Sequence, residues 1–466
     1  MFIDRRILFL FSGKPARTRL LDLISDRIMT VQARPSTIPK SHRCSSSLFL
    51  FSVAVTVLLL GSVGNAQPRI GEHDWPFWRG PNRNGIASSN QNPPTEWSKE
   101  KNILWKSPVP GKGHGSPTIL GQQVFITVAD LDRDVQSVIC FDRDSGKQVW
   151  ETIVHRGGLK TKGNKKQNKK ASLASTTVAT DGEKLYVNFL NDEAVWTSCY
   201  TMKGKFVWKT KISDYIVHQG YGSSPTLFKD LVIVSADNKG GGMIRALRKT
   251  DGETVWKRSR PAKPNYPSPA LIQAAGKTQL VFMGCDLVTS LDPLTGKQNW
   301  EIAGATTECV STTVTDGTHI FTSGGYPTNH ISAVKADGSG TVVWQNNSRV
   351  YVPSMLCYKE HLYAVLDAGV AVCYESATGK EKWKARLGGN FSGSPIMVND
   401  LIFATSEKGE TTVFKVNPEE YERVAKNKLG DHVLSTPAIC GGRIFIRAAN
   451  FEDGKRKEYL YCIGEK

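Results

Sequence analysis

The chain has 466 residues, of which 39% are hydrophobic and 22% are charged, and it contains 42 glycines and 11 tryptophans. This composition excludes a disordered or membrane-embedded protein and is typical of a packed, β-rich globular one. The length allows two or three ordinary domains or one large β-ring. The formal net charge is +17 at pH 7.

The N-terminal region predicts export. A basic segment that begins at Met29 precedes an apolar run, residues 48–60, and small residues lead from there to Ala66. This order is typical of a secretory signal peptide, and the run is short for a membrane span. We expect residues 1–66 to be a signal peptide with an upstream segment, translation to start at Met29, and cleavage near Ala66. The mature protein is then periplasmic or secreted and has no integral membrane span.

Residues 67–100 form a turn-rich leader, and a repeat occupies residues 101–466. A glycine in a turn is followed four residues later by tryptophan in "DSGKQVW", "MKGKFVW", "TDGETVW", "LTGKQNW" and "ATGKEKW", with a looser copy in "DGSGTVVW". These copies end at Trp150, Trp208, Trp256, Trp300, Trp383 and, for the looser copy, Trp344.

A hydroxyl residue, usually before proline, opens each unit. Alternating or short apolar runs between opening and tryptophan predict strands and no helices. The eight openings are Ser116, Thr176, Ser224, Ser268, Thr312, Ser354, Ser394 and Thr436.

Eight units of four short strands predict an all-β fold, an eight-bladed β-propeller with four-stranded antiparallel blades. The last unit ends at "YLYCIGEK" without its tryptophan strand, whereas "NILWKS" around Trp105 has no unit before it. We therefore expect the N-terminal strand to complete the C-terminal blade and close the ring.

The seven blade tryptophans, with Trp105 included, are interpreted as structural wedges between blades. Burying ~150–250 Å² of indole contributes about 4–6 kcal/mol at ~25 cal/mol per Å². The glycine before each tryptophan suits a turn position with positive φ. The repeated phrase therefore predicts architecture, with no catalytic residue in it.

One basic stretch, residues 156–170, carries seven positive charges and no acid, and it joins the first two blades. The excess charge is local, so nucleic-acid binding is not expected. The stretch is interpreted either as a flexible solvated loop or as a site for an anionic partner, such as an envelope polymer, lipid headgroups or an acidic protein patch. Its candidate anion-binding residues are Arg156, Lys160, Lys162, Lys165, Lys166, Lys169 and Lys170.

Residues just before each opening are expected to surround the mouth of the central channel. Aromatic and hydrogen-bonding side chains are common in binding surfaces, although the same residues also suit a solvated rim. The candidates are His114, His218, Tyr221, Tyr266, Glu308, Tyr351, Asn390, Phe391 and His432.

The cysteines after Ala66 are predicted to be free thiols. Four of them share one slot of different units with Ala246, Ser290 and Ala333, which favours a small buried residue there and places the thiols too far apart for bridges. These four are Cys140, Cys199, Cys373 and Cys462.

The units resemble the repeat of pyrroloquinoline-quinone-type (PQQ-type) β-propellers, most clearly in "SLDPLTGKQNW" and "CFDRDSGKQVW". That family includes quinoprotein dehydrogenases and non-catalytic members such as the propellers of the outer-membrane assembly machine. The leader "DWPFWRGPNRNG" also resembles the start of secreted bacterial propellers with no assigned reaction.

The resemblance to dehydrogenases implies adjacent cysteines, a calcium site and a carboxylate base, but this chain has no Cys-Cys pair. Acids such as Glu308 and Asp431 form no linear metal-ligand cluster, so no metal and no cofactor are expected, PQQ with calcium included. The sequence therefore favours a monomeric, non-enzymatic scaffold whose channel face binds an envelope protein or an anionic polymer. A divergent quinone-dependent dehydrogenase and a carbohydrate-binding propeller remain the alternatives.

Overall fold

The computed structural model describes residues 70–161, 165 and 167–466. The predicted signal peptide, residues 1–66, lies outside this part. The described residues contain no α-helix and form eight four-stranded antiparallel sheets, each built mainly from consecutive strands. The eight sheets are the blades of the predicted propeller, and the fold class is confirmed.

The first four blades follow one another along the chain. Blade 1 has β2 (Thr118–Leu120), β3 (Gln123–Asp130), β4 (Val135–Asp142) and β5 (Gln148–Arg156); blade 2 has β6 (Ala179–Thr180), β7 (Lys184–Asn191), β8 (Ala194–Thr201) and β9 (Phe206–Asp214); blade 3 has β10 (Thr226–Phe228), β11 (Leu231–Ser235), β12 (Gly242–Arg248) and β13 (Thr254–Arg260); blade 4 has β14 (Ala270–Ala274), β15 (Lys277–Gly284), β16 (Leu287–Leu291) and β17 (Gln298–Ala303).

The remaining blades continue in the same order. Blade 5 has β18 (Val314–Thr315), β19 (His319–Gly324), β20 (His330–Lys335) and β21 (Val342–Asn346); blade 6 has β22 (Leu356–Tyr358), β23 (His361–Val365), β24 (Val370–Glu375) and β25 (Glu381–Arg386); blade 7 has β26 (Ile396–Val398), β27 (Leu401–Thr405), β28 (Glu410–Lys415) and β29 (Arg423–Lys428); blade 8 has β30 (Ala438–Cys440), β31 (Arg443–Glu452), β32 (Lys455–Ile463) and β1 (Ile103–Val109).

Burial explains why the strands of one blade differ in composition. The middle strands lie between neighbouring blades and are buried on both faces, as in "QVFITVAD" of β3. The outer strand has one solvated face, so exposed and buried residues alternate in "TVWKRSR" of β13. Apolar runs inside and alternation outside therefore follow from the position of each strand in the blade.

Strand β1 closes the ring as predicted. It pairs antiparallel with β32, and Trp105 lies opposite Cys462. Trp105 is 8% exposed, and its indole N–H donates to the carbonyl oxygen of Arg143 in blade 1 over 2.9 Å. The N-terminal strand thus completes blade 8 and also joins that blade to blade 1.

The blade tryptophans are inter-blade wedges. The Trp208 indole N–H donates to the Lys249 carbonyl oxygen of the next blade over 2.9 Å, and Trp383 donates to Asn417 over 2.7 Å. The glycine of the next blade lies against the indole, since a Cβ on Gly252 would lie 2.5 Å from Trp208. The turn glycine therefore satisfies two requirements, because it adopts a positive φ of 76° and leaves room for the preceding blade's indole.

The small-residue slot of the third strand faces the tryptophan of its own blade. Cys140 is paired with Trp150, Cys199 with Trp208, and Ala246 with Trp256. Large side chains there would displace the indole. The slot prediction is confirmed.

Blade 7 departs from the repeat because Ala425 occupies the tryptophan position, opposite Val413. Trp97 of the leader supplies an indole to the same core cluster and stacks on Phe403 with ring centroids 6.4 Å apart. Its backbone N–H donates to the Asn427 side chain over 2.9 Å. A leader residue therefore fills space where the blade itself has a small side chain.

The two faces of the ring are defined by strand direction. The channel face carries the residues that precede each first strand and the turns between second and third strands. The leader face carries the turns between first and second strands and those between third and fourth strands, which contain the repeated glycine. Residues 74–92 of the leader contact this second face, for example through the antiparallel bridge between Trp75 and Ile119.

Candidate functional site: the central channel and its mouth

A ring of hydrogen bonds surrounds the channel. In seven of eight steps, the backbone N–H of one opening residue donates to the hydroxyl of the next, over 2.9–3.1 Å. We call this ring the hydroxyl belt. Its members are Ser116, Thr177, Ser224, Ser268, Thr312, Ser354, Ser394 and Thr436.

One predicted opening is shifted by a residue. Thr177, not Thr176, accepts the amide hydrogen of Ser116 and donates its own amide to Ser224. The Thr176 hydroxyl instead donates to the carbonyl oxygen of Asn188 over 2.6 Å. The sequence did not decide between these two positions, because Thr176 and Thr177 are adjacent and no proline follows either of them.

The leader closes the channel on the leader face. At the one step where the belt lacks its own bond, the Trp78 indole N–H donates to the Thr312 hydroxyl over 2.9 Å. The leader then pairs with blade 7, where the Ala87 amide donates to the Met397 carbonyl oxygen over 2.8 Å. Trp78 therefore lies at the base of the channel, a position that sequence reasoning missed because the leader lies outside the repeat.

Arg79 anchors this closure. It is 1% exposed, and its guanidinium donates to the carbonyl oxygens of Asn84 and Met355 over 2.6 and 2.5 Å. Desolvation lowers the pKa of Arg79 to about 9. These two bonds hold the leader loop against the residue before β22, since a conformation that broke them would leave the buried Nη2 without an acceptor.

Above this base lies a cavity of about 460 Å³, which the channel-face loops border. The positions two residues before each belt hydroxyl all line it, and their chemistry varies from blade to blade. These residues are His114, Ser175, Gly222, Tyr266, Val310, Val352, Ser392 and Leu434.

Four predicted mouth residues form one hydrogen-bonded cluster. The buried Glu308 carboxylate accepts from the Tyr351 hydroxyl over 3.1 Å, and its other oxygen lies 3.3 Å from His218 Nδ1. The same nitrogen lies 3.3 Å from the Tyr266 hydroxyl. Burial, with Glu308 nearby, raises the pKa of both tyrosines. Both phenols are therefore neutral hydrogen-bonding groups.

Asp367 extends this cluster, and sequence reasoning missed it. Its carboxylate accepts the Tyr351 amide hydrogen over 2.7 Å and lines the cavity. Burial raises the pKa of Asp367, against the lowering effect of that amide bond and of Arg349. The residue lies in the turn after β23, which has no distinctive sequence signal.

His114 and His432 meet on the opposite side of the mouth, with ring centroids 6.4 Å apart. His432 Nδ1 lies 2.8 Å from Arg456, which is paired with the buried Glu458 over 2.8 Å. Desolvation first, and then the neighbouring cations, lower the pKa of His114 well below its usual range. Its imidazole is therefore neutral at physiological pH.

The other three candidates are placed differently. Tyr221 lines the cavity but is 7% exposed, and its hydroxyl donates to the Ser235 carbonyl oxygen over 3.0 Å. Phe391 is 2% exposed and packs in the core between blades 6 and 7, away from a ligand. Asn390 is exposed beside it, and its carbonyl oxygen accepts from Glu407.

The basic loop lies on the channel face, and its C-terminal end extends over the mouth. Lys170 pairs with Glu407 of blade 7 over 2.7 Å, and the Asn168 side chain donates to Gln219 over 2.9 Å. Lys162 and Lys166 lie outside the described residues. The remaining candidates of the loop, all exposed, are Arg156, Lys160, Lys165 and Lys169.

The residues around the cavity do not match the quinone–calcium set that the resemblance to dehydrogenases implies. The eight cysteines after Ala66 are free thiols, seven of them buried in or beside the blades, and no two are adjacent in sequence. No three His, Cys, Asp or Glu side chains converge as metal ligands within the described residues. Asp367 and Glu308 are each engaged by Tyr351.

The fold and the repeat together define a PQQ-type propeller. Residues 134–328 and 327–424 match the family model described as outer membrane protein assembly factor BamB. The matched segments span more than half of the chain, which belongs to this PQQ-type propeller family. A search of curated proteins finds no match.

Solved structures agree on the fold. The structure of BamB from Moraxella catarrhalis is 11% identical, with a TM-score of 0.54, and the alignment covers 77% of this chain and 96% of that one. Quinohemoprotein alcohol dehydrogenase from Comamonas testosteroni is 12% identical, with a TM-score of 0.58, over 84% of this chain and 81% of that one. Identities this low establish shared architecture alone. Among the described residues, no helix is long and apolar enough to cross a membrane.

Proposed function

We propose that the chain is an exported, non-enzymatic propeller of the periplasm or cell exterior that binds an envelope protein on its channel face. Membership of a family described by an assembly factor supports a protein partner. The domain boundaries at residues 66 and 100, the cleavage near Ala66 and the monomeric state are parts of this proposal. N-terminal sequencing and light scattering of the exported protein test them.

A group of exposed apolar side chains at the channel face carries the proposal. Of the twelve large apolar side chains exposed within the described residues, four lie at the channel face: Leu131 is 50% exposed, Ile216 56%, Tyr326 57% and Phe451 56%. The mouth on the same face is made of tyrosines, histidines and paired charges. Aromatic residues are enriched in protein interfaces, and a few of them supply most of the binding energy.

The long hairpin of blade 8 strengthens this assignment. Its strands β31 and β32 have 10 and 9 residues, whereas the corresponding strands of blade 7 have 5 and 6. The extra length raises Phe451 at the channel face. The packing of the ring does not require this extension, so it is available to contact a partner.

The basic loop favours a partner with an acidic patch, and an anionic envelope polymer is the second candidate. Lys169 and Lys165 are exposed, and residues 156–170 contain no acid. Attraction of this kind is screened by salt. Binding to an acidic protein patch or to a polyanion should therefore weaken as ionic strength rises, and replacing the loop by a neutral linker should remove that dependence.

Site-specific photo-crosslinking in envelope extracts tests the proposal. A photoreactive residue at Tyr326 or Phe451 should capture the same envelope protein, and one at Leu294, which is 40% exposed on the leader face, should not. The doubly substituted variant Tyr326→Asp, Phe451→Asp should lose the complex while retaining its melting temperature. Equal capture from Leu294, or a complex that survives the double substitution, contradicts the proposal.

A separate assay addresses the enzymatic alternative. The protein is incubated with PQQ and calcium, and dye-linked oxidation of primary alcohols and aldose sugars is followed. We expect no turnover above that of free PQQ with calcium. Catalysis that depends on the protein overturns the non-enzymatic part of the proposal and leaves the docking surface to be judged by crosslinking.

A further inference from the structure

We infer that the channel cavity is a binding site for a neutral, polyhydroxylated ligand of the saccharide class. The site lies below the protein-docking surface and does not depend on it. Its volume of about 460 Å³ falls in the usual range of small-molecule pockets, about 300–1,000 Å³. The leader closes one end, so a ligand enters from the channel face.

Aromatic rings without competing polar atoms line both ends of the cavity. At the base, the Trp78 indole N–H is bonded to Thr312. At the mouth, the hydroxyl of Tyr351 is bonded to Glu308, and that of Tyr266 lies within hydrogen-bond distance of His218. Because the polar atoms of these rings have protein partners, ring carbon is what they offer a ligand. The C–H faces of a sugar ring pack on such surfaces.

Charges around the cavity are balanced. Lys170 is paired with Glu407 over 2.7 Å, and Arg349 lies over the Tyr351 ring, 5.3 Å from its centroid, in the field of Asp367. Burial raises the pKa of Asp367, and His114 is neutral. Among the described residues that line the cavity, Lys170 is already paired, and Arg349 interacts with the Asp367 carboxyl, so the desolvation cost of an ionic ligand is only weakly offset.

Neutral donors and acceptors remain for ligand hydroxyls. Each belt hydroxyl that lines the cavity, such as Ser116 and Thr436, accepts one amide hydrogen and has no acceptor for its own O–H among the described residues. The buried Nε2 of His114 has no partner there either. Sugar hydroxyls both donate and accept, so they complement this mixture.

Isothermal titration calorimetry tests the inference, with maltose, cellobiose and chitobiose as neutral probes and digalacturonate and PQQ as anionic ones. We expect at least one neutral probe to bind and both anionic probes to fail. The variant Val310→Phe fills the cavity without removing a polar group and should weaken binding by at least about tenfold. Val149→Phe, on the exposed outer strand of blade 1, is the matched control and should bind as the parent does.

Three results overturn the inference: no neutral probe binds, only anionic probes bind, or binding survives filling of the cavity. Val352→Phe fills the same space from the next blade and replaces Val310→Phe should that variant fail to fold. The titrations use the protein without its envelope partner. A negative result therefore leaves the docking proposal to the crosslinking experiment.

Discussion

The contact between turn glycine and indole predicts a difference between two glycines with the same backbone conformation. Gly252 has φ of 76° and Gly276 has φ of 73°, so alanine at either position carries a similar left-handed strain of about 1 kcal/mol. A Cβ on Gly252 would lie 2.5 Å from the Trp208 ring, whereas a Cβ on Gly276 meets nothing within 4 Å. Overpacking adds about 1–3 kcal/mol at Gly252 alone.

We therefore expect Gly252→Ala to lower the free energy of unfolding by about 2–4 kcal/mol and Gly276→Ala by about 1 kcal/mol. Urea unfolding followed by far-UV circular dichroism measures both without relying on tryptophan fluorescence. A double-mutant cycle isolates the contact: Thr210 Oγ1 also lies 2.8 Å from that Cβ, so Gly252→Ala in a Trp208→Ala background should cost less than in the parent protein but more than Gly276→Ala does. Equal costs in the parent protein, or an unchanged cost in that background, refute the wedge.

Two further predictions concern the belt and the buried histidines. Ser354→Ala should destabilise the protein by about 1–3 kcal/mol in urea unfolding, because the Thr312 amide loses its acceptor, and Ser354→Thr should not. Burial lowers the pKa of His155 to about 3 from an ordinary 6.5. The unfolded chain therefore binds a proton that the folded chain does not, and stability falls as pH drops from about 6.5 towards 3, by up to about 1.4 kcal/mol per pH unit from this group.

Each of these two has an internal control. Threonine already occupies the belt position at Thr177 and Thr436, so Ser354→Thr tests the hydroxyl rather than the volume. For the pH effect, the control is His155→Phe, which keeps an aromatic ring against Phe189 but removes the titrating imidazole. The free energy of unfolding of this variant should fall less steeply as the pH drops. Between pH 7 and 8, where His155 does not titrate, the substitution should leave the pH dependence of stability unchanged. An unchanged acid slope would assign the effect to other groups.

Repetition explains how much of the fold the sequence predicts. Each blade packs on its neighbours through the same indole, glycine and small-residue slot, so local phrases contain most of the tertiary contacts of the ring. The closure of the ring can also be predicted from the sequence, because the segment around Trp105 matches the tryptophan strand that the last unit lacks. The shift from Thr176 to Thr177 shows the limit: without proline, one-residue register depends on which hydroxyl faces the next blade.

The leader shows what the sequence does not predict. Trp78 bonds Thr312, 234 residues away, and Trp97 bonds Asn427, 330 residues away. These contacts occur once and have no period, so pattern reasoning finds a turn-rich segment and misses the base of the channel. Sequence reasoning missed Asp367 for the same reason. Its carboxylate accepts the Tyr351 amide hydrogen only because the folded ring places the turn after β23 beside Tyr351.

Variation around the channel separates the requirements of the fold from those of function. At the belt, every blade has serine or threonine, because in seven of eight steps the hydroxyl accepts the neighbouring amide hydrogen and in the eighth it accepts the Trp78 indole N–H. Two residues earlier, the side chains range from Gly222 to Tyr266 and His114, although all of these positions border the same cavity. Packing of the blades therefore does not determine what stands there. These positions lie at the centre of an otherwise regular ring, and the architecture does not determine their side chains. We therefore expect them to specify which ligand binds. Substitutions there, such as Val310→Phe, should change ligand affinity before they change the stability of the fold.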